Sequence, residues 1–263
     1  MAYVLALLAD RRGWCWYHPQ WWVWGAALSA WLVLLAADLN GQGRLPAGLA
    51  LNLLALCRVP QSWALDASGL WLPLDAWLGG WALMLLAMMY PLLNDNLRAL
   101  AFASPWSRRH RAMVGFLAGY TMVWLLYGLL AGALLLLCFR MLSGALLAAL
   151  FAPASIALLG FGTAVAWVYT PMRRRALVAC HAVHAPLGSG WQADSACACH
   201  GLRIGWACLR NCWAIMTALM LTGHGLPAML LAATVLLWER KHLRHARHGV
   251  AACWLGLLLW SSA

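Results

Sequence analysis

Residues 108–139 read RRHRAMVGFLAGYTMVWLLYGLLAGALLLLCF, a basic cluster followed by an unbroken apolar run. No charged residue occurs from Ala112 to Phe139, and about 20 apolar residues are enough for a helix to cross a bilayer. The rest of the chain has a similar composition, since 65% of its 263 residues are hydrophobic and 10% are charged, against about 25% charged in soluble domains. The sequence therefore predicts an all-α membrane protein, because a helix satisfies its backbone polar groups within one segment.

Further apolar runs predict a polytopic transmembrane helix bundle with six or seven spans. The six main runs are Trp22–Ala37, Ala76–Leu93, Ala112–Phe139, Ala145–Tyr169, Trp206–Thr222 and Gly225–Trp238. A shorter run, Val250–Trp260, is either a seventh span, a re-entrant piece or a surface helix. We interpret residues 1–263 as a single membrane domain. Its non-cytoplasmic loop at 40–75 contains a short apolar piece that predicts an interfacial or re-entrant helix.

The basic residues cluster between alternate apolar runs, which is the pattern that orients membrane proteins. The clusters are Arg11 with Arg12, Arg98 with Arg108, Arg109 and Arg111, Arg173–Arg175 with Arg203, and Arg240 with Lys241, Arg244 and Arg247. They predict a cytoplasmic N-terminus and a multi-pass protein of the bacterial inner (plasma) membrane. The net charge of +11 also favours contact with anionic membrane lipids. Nucleic acid is not an expected partner, because no soluble module presents a basic face.

The chemically richest segment is residues 170–205, which the basic clusters predict to be a cytoplasmic loop. Its donor residues are Cys180, His181, His184, Cys197, Cys199 and His200. Thiolate and imidazole groups bind Cu(I) or Zn(II), although the spacing does not match a zinc finger. The segment is either a metal or thiol site or an incidental cluster in a loop.

Two of the apolar runs carry further soft donors. Met84 and Met88 are four residues apart and share one helix face, Met89 follows them, and thioethers favour Cu(I). Cys208 and Cys212 have the same spacing in the fifth run. Methionine and cysteine are also ordinary packing residues of a helix bundle, so packing is the alternative to ligation at both places.

Four motifs occur in order: MLLAMMYP at 84–91, GYTMVW at 119–124, TPMR at 170–173 and CLRNCWAIM at 208–216, followed by ER at 239–240. Together they resemble a bacterial family of predicted metal-binding integral membrane proteins, a domain-of-unknown-function family. The resemblance runs from Trp81 to Lys241. It implies a multi-span protein whose cysteine motifs hold a metal, with copper as the expected ion.

The ligand residues that the resemblance carries over are Met84, Met88, Met89, Cys180, Cys208 and Cys212. Ala176 stands where the family pattern has a cysteine four residues before Cys180. Arg210 and Asn211 stand where it has Gly-Cys. The chain is therefore interpreted as a divergent member that lacks some of the family cysteines.

The leading hypothesis is a membrane protein that binds Cu(I) for trafficking or for the assembly of a membrane metalloenzyme. The alternative is a non-catalytic structural or accessory subunit of a multi-subunit membrane complex that has lost part of an ancestral metal site. A third hypothesis is a redox-active thiol protein. Catalysis is not favoured, because the chain has no nucleophile elbow, P-loop or paired acids.

Overall fold

A computed structural model describes residues 18–41, 74–141, 146, 149–150, 152–180, 182, 190–222, 225–242 and 246–262. Within these ranges the chain is helical and contains no strand, which confirms the all-α class. The cytoplasmic N-terminus, the helix predicted in the 40–75 loop, and both His181 and His184 lie outside the described residues. These features stay predictions.

The α-helices are, in chain order, α1 Trp21–Gly41, α2 Leu74–Met84, α3 Asn94–Ala103, α4 Arg109–Met141, α5 Pro153–Val168, α6 Pro171–Cys180, α7 Gly190–Leu221, α8 Leu226–Lys241 and α9 Ala246–Ser262. A π-helical turn, Leu85–Met89, and a 3₁₀ turn, Pro91–Leu93, join α2 to α3. Proline opens α5 and α6, where its fixed φ suits the helix and its missing N–H costs no hydrogen bond.

Among the residues that the structure describes, fewer candidate spans are found than the six or seven that hydropathy predicts. Trp106–Leu135 and Gly190–Leu221 are long and apolar enough to cross a membrane, and the pair Ala154–Val168 and Pro171–Cys180, bent by 76°, would make a third. The other described runs fall short: the apolar part of α1 is Trp21–Ala36, α8 and α9 have 16 and 17 residues, and the second run is broken by the π and 3₁₀ turns. Hydropathy counts apolar residues but does not detect where a helix ends.

The described residues of the segment predicted as a cytoplasmic loop at 170–205 are mostly helical, and its cytoplasmic location stays a prediction. α6 occupies its first part and the first half of α7 its last part. Small buried residues recur at four-residue steps at Ala193, Cys197 and Gly201, which gives this half of α7 a face that packs against α4. Helix packing therefore overrides the polar composition that suggested a loop.

α7 lies at the centre of the bundle and packs against α4, α5 and α6. Its closest approach is to α4, because a Cβ added at Gly201 would overlap the Phe116 carbonyl oxygen and one added at Gly119 would overlap that of Ala198. Glycine pairs four residues apart, Gly115 with Gly119 and Gly201 with Gly205, allow such close crossings between membrane helices. The crossing places Tyr120 of α4 against the next turns of α7.

Candidate metal site

Three thiols, which we call the thiol cluster, lie at the junction of α6 and α7. Cys208 and Cys212 are one turn apart on α7 and are each 1% exposed, whereas Cys180 ends α6 and is half-buried. The Cys208 side chain neighbours those of both Cys180 and Cys212. Cys208 is therefore the central member of a row of three soft donors.

The bend between α5 and α6 brings Cys180 to this position. Thr170 lies at the bend, and its hydroxyl accepts a hydrogen bond from the Arg173 amide at 3.3 Å, which is the arrangement of a helix N-cap. Pro171 then begins α6, and the helix runs along α7. The local sequence Thr-Pro thus starts a second helix in a new direction and aligns its last residue with Cys208.

Two polar side chains hold the thiols from other directions. The Tyr120 hydroxyl, buried on α4, donates a hydrogen bond to Cys208 Sγ over 3.1 Å. Asn211 Nδ2 donates to Cys212 Sγ over 3.3 Å. Both contacts are buried, so each limits the positions that a thiol sulfur can adopt.

Two ion pairs lie beside the thiol cluster. Arg173 of α6 and Glu239 of α8 are 6% and 2% exposed, and their Nη2 and Oε2 atoms are 2.7 Å apart. Arg240, the next residue of α8, binds Asp95 of α3 at the same distance. Arg173 is on the buried face of α6 two turns before Cys180, and Arg240 follows its partner Glu239 in the sequence. These pairs connect α6, α8 and α3 around the site.

The predicted methionine ligands form a separate buried group. Met84, Met88 and Met89 are all almost fully buried, and the π turn that contains two of them packs mainly against α1 and also against α8. π turns are rare and occur often at functional sites. Tyr90, the next residue, connects this group with the thiol cluster, because its hydroxyl is 2.7 Å from Thr121 Oγ1 and its ring centroid is 6.5 Å from that of Tyr120.

The donors of the first half of α7 do not join the thiol cluster. Cys197 is buried beside Gly115 and Cys199 is exposed. The His200 ring lies 5.4 Å from that of Phe116, centroid to centroid. Cys197 is 11 residues before Cys208, which is about 16 Å along a helix. These donors are therefore close to Cys208 in the sequence but lie too far along α7 to join the thiol cluster.

Across the described ranges, no three His, Cys, Asp or Glu side chains converge as a ready-made metal cage. The thiol cluster is a row and not a cage, so it offers an ion two sulfur atoms at a time, that of Cys208 and that of either Cys180 or Cys212. Cu(I) accepts two thiolates in a linear arrangement, and thiolates are the ligands that select this soft ion. The residues present therefore fit Cu(I) better than an ion that requires four ligands.

Sequence reasoning missed the residues around the thiols. It singled out neither Tyr120 as a partner of Cys208 nor the buried pair of Arg173 and Glu239. Two signals could have indicated them: the matched glycine spacings of α4 and α7, and a lone glutamate at the end of an otherwise apolar run, since a buried carboxylate requires a partner.

The fold and the site define a helical protein with a buried row of thiols suited to a soft metal ion. A comparison with protein families matches residues 78–263 to the PpoB2 family, described as a copper chaperone. The chain belongs to this copper chaperone family. No curated protein and no solved structure matches the chain.

Family membership confirms the central expectation from the sequence, a metal-related family with copper as its ion. It is consistent with copper trafficking, and it indicates interaction with a copper-dependent protein.

Proposed function

We propose that this protein is a membrane-embedded copper chaperone that holds Cu(I) on the thiol cluster and passes it to a copper-dependent protein in the same membrane. The single observation that supports this function is the contact of Cys208 with both Cys180 and Cys212. A thiol shared by two neighbours allows the ion to be held by one pair of sulfur atoms and to move to the other.

Transfer would proceed by exchange of sulfur ligands. Cu(I) binds thiolates, so the bound thiols release their protons as the ion enters, and binding weakens as pH falls. Cys180 is the half-buried member, whereas Cys208 and Cys212 are buried, so an acceptor reaches the ion at the Cys180 side. Ligand exchange with an incoming donor would then displace Cys208 and release the ion.

The membrane setting is supported by the surface of α4. Leu126, Leu130 and Leu134 recur at four-residue steps and are all exposed, which forms an apolar stripe facing outward. Contiguous apolar surface of this kind marks a membrane or protein interface. We propose that lipid covers the stripe, that the protein is multi-pass in a bacterial inner membrane, and that the basic clusters keep the N-terminus cytoplasmic.

Two positions support the proposal that this chain carries a reduced ligand set. Ala176 is buried one turn before Cys180, and Asn211 is buried beside Cys212. Each of them stands where the related family pattern has a cysteine. Met84, Met88 and Met89 remain predicted ligands, as do His181, His184, Cys197, Cys199 and His200, with a role in bringing the ion to the thiol cluster.

The test is the copper content of the full chain purified in detergent under anaerobic, reducing conditions, measured by elemental analysis after loading with Cu(I). The matched variants are Cys208→Ser and Cys253→Ser, because Cys253 is a half-buried thiol of α9 away from the cluster. The proposal expects near-stoichiometric copper in the wild type and in Cys253→Ser, and loss of copper in Cys208→Ser. Equal copper in both variants would contradict it.

The accessory-subunit hypothesis has one observation in its favour, the large exposed aromatic residues Trp191, Trp206 and Trp260, since tryptophan is enriched at protein and membrane interfaces. It predicts that the wild type binds no copper and co-purifies with a defined membrane complex. The same elemental analysis therefore separates the two functions.

A further inference from the structure

The buried pair of Arg173 and Glu239 has an energetic cost that packing does not explain. Both side chains are almost fully withdrawn from water, and taking two charges out of water costs several kcal/mol per ion before their attraction is counted. Apolar residues of similar size often fill such a place with equal or greater stability. A second positive charge, Arg240, adjoins the same group of residues from the surface side.

Binding of Cu(I) changes the charge of the thiol cluster. Two neutral thiols and one Cu(I) become a complex of two thiolates and one cation, with a net charge of −1 after two protons leave. In a buried site such a charge is strongly disfavoured unless a positive group lies nearby. Arg173 lies on the buried face of α6 two turns before Cys180, about 10 Å along the helix. Arg240 follows Glu239, whose carboxylate is 2.7 Å from Arg173, so both positive charges lie near the thiol cluster.

We infer that Arg173 and Arg240 are charge-compensating residues that stabilise the anionic copper–thiolate complex, an inference that rests on the proposed function. Glu239 orients Arg173 through their ion pair and opposes the same complex, because its negative charge lies directly beside that arginine. Arginine suits this role since it stays protonated when buried and keeps a fixed planar geometry.

Substitutions of Arg173 and Glu239, the two members of one ion pair, should therefore change the Cu(I) affinity in opposite directions. Arg173→Met removes a favourable charge and should weaken Cu(I) binding by about tenfold or more, as expected for the loss of one nearby unit charge at an effective dielectric constant near 20. Glu239→Gln removes an unfavourable charge and should strengthen binding by a similar factor. A merely structural pair predicts weaker binding in both variants, because both break the same contact.

The ion pair of Arg240 and Asp95 provides a second test of charge compensation, in which neither variant alters the buried pair of Arg173 and Glu239. Asp95 is 60% exposed, so water screens its charge and its removal leaves Arg240 in place. Arg240→Met should therefore weaken Cu(I) binding by about tenfold, whereas Asp95→Asn should leave it within about twofold. Arg173→Lys, which keeps the charge and loses the planar geometry, should retain most of the affinity that Arg173→Met loses.

The experiment measures the Kd for Cu(I) of detergent-purified full-length variants by competition with a colorimetric Cu(I) chelator at fixed pH under anaerobic conditions. Arg108→Met serves as the matched control, since Arg108 pairs with Asp194 where α4 meets the start of α7, away from the thiol cluster. Opposite signs for Arg173→Met and Glu239→Gln, with Asp95→Asn unchanged, support the inference. Equal losses in Arg240→Met and Asp95→Asn, or no change in Arg240→Met, overturn it.

The outcomes also separate this inference from the proposed function. A wild type that binds no Cu(I) contradicts both. A wild type that binds Cu(I) through Cys208, with unchanged affinity in both arginine variants, keeps the copper chaperone and overturns only the charge compensation. If Glu239→Gln or Arg173→Met fails to fold, the comparison of Arg240→Met with Asp95→Asn decides.

Discussion

The two halves of α7 carry cysteines at similar density, but only one half meets donors from another helix. In the first half, Cys197 packs against Gly115 of α4 and Cys199 faces outward. In the second half, Cys208 contacts a thiol from α6 and a hydroxyl from α4. The difference lies in which helix crosses at each level of α7, since α4 crosses the first half at glycines and α6 ends beside the second.

This comparison shows that density of donors along the chain is a poor guide to a metal site in a helix bundle. A site needs donors from at least two elements, and here the element that provides the second one is the short helix α6 after the 76° bend. The stretch that looked richest in sequence, around Cys197, Cys199 and His200, has its side chains distributed around one helix.

The largest effect is expected from closing the space at the α4–α7 crossing, on which the contact of Tyr120 with Cys208 depends. Gly201→Ala places a methyl group onto the Phe116 carbonyl oxygen, so the helices must separate, at a cost of about 3 kcal/mol in the free energy of unfolding. Gly256→Ala on α9 is the control, because nothing lies within 4 Å of its added Cβ. Denaturation in detergent measures both, and equal stabilities would show that the crossing is not tight.

The next effect separates the two halves of α7 directly. Cys208→Ser should weaken Cu(I) binding at least about a hundredfold, since the central soft ligand is lost. Cys199→Ser, in the first half, should change the Kd less than about threefold, because its side chain is exposed and exposed substitutions usually have small effects. Competition with a Cu(I) chelator measures the two Kd values. A large loss in Cys199→Ser and none in Cys208→Ser would move the site to the first half.

The helical class, the copper-related family and the donor types could be predicted from the sequence, because they depend on composition, periodicity and local motifs. The convergence of the thiols could not. It depends on the bend at Thr170 and Pro171 and on the glycine contact between α4 and α7, which fix how three distant segments meet. The described residues contain two or three candidate spans, fewer than the sequence predicts, for a related reason, since the π turn at Leu85–Met89 interrupts a run that is apolar throughout.

A smaller effect is expected when the hydroxyl that α4 contributes is removed. Tyr120→Phe keeps the ring and deletes the hydrogen bond to Cys208, which should cost about 1 kcal/mol in the free energy of unfolding and weaken Cu(I) binding a few-fold by freeing the central sulfur. Tyr127→Phe is the matched control, because its hydroxyl bonds Thr217 and not a thiol. We expect both variants to lose a similar amount of stability and only Tyr120→Phe to lose copper affinity.

The smallest effect is expected from adding a thiol to α6, the element that distinguishes the second half of α7. Ala176 is 3% exposed and lies one turn before Cys180, on the buried side of α6 with Arg173. Ala176→Cys should therefore offer Cu(I) a further sulfur and strengthen binding a few-fold without changing the stoichiometry. Ala179→Cys places the same group on the exposed side of the same helix and should leave the Kd unchanged. Each variant adds one cysteine, and the two positions are three residues apart. A gain in Cu(I) affinity in Ala176→Cys alone would show that the face of α6, and not its cysteine content, determines copper binding. Equal gains in affinity would show that any thiol on α6 suffices.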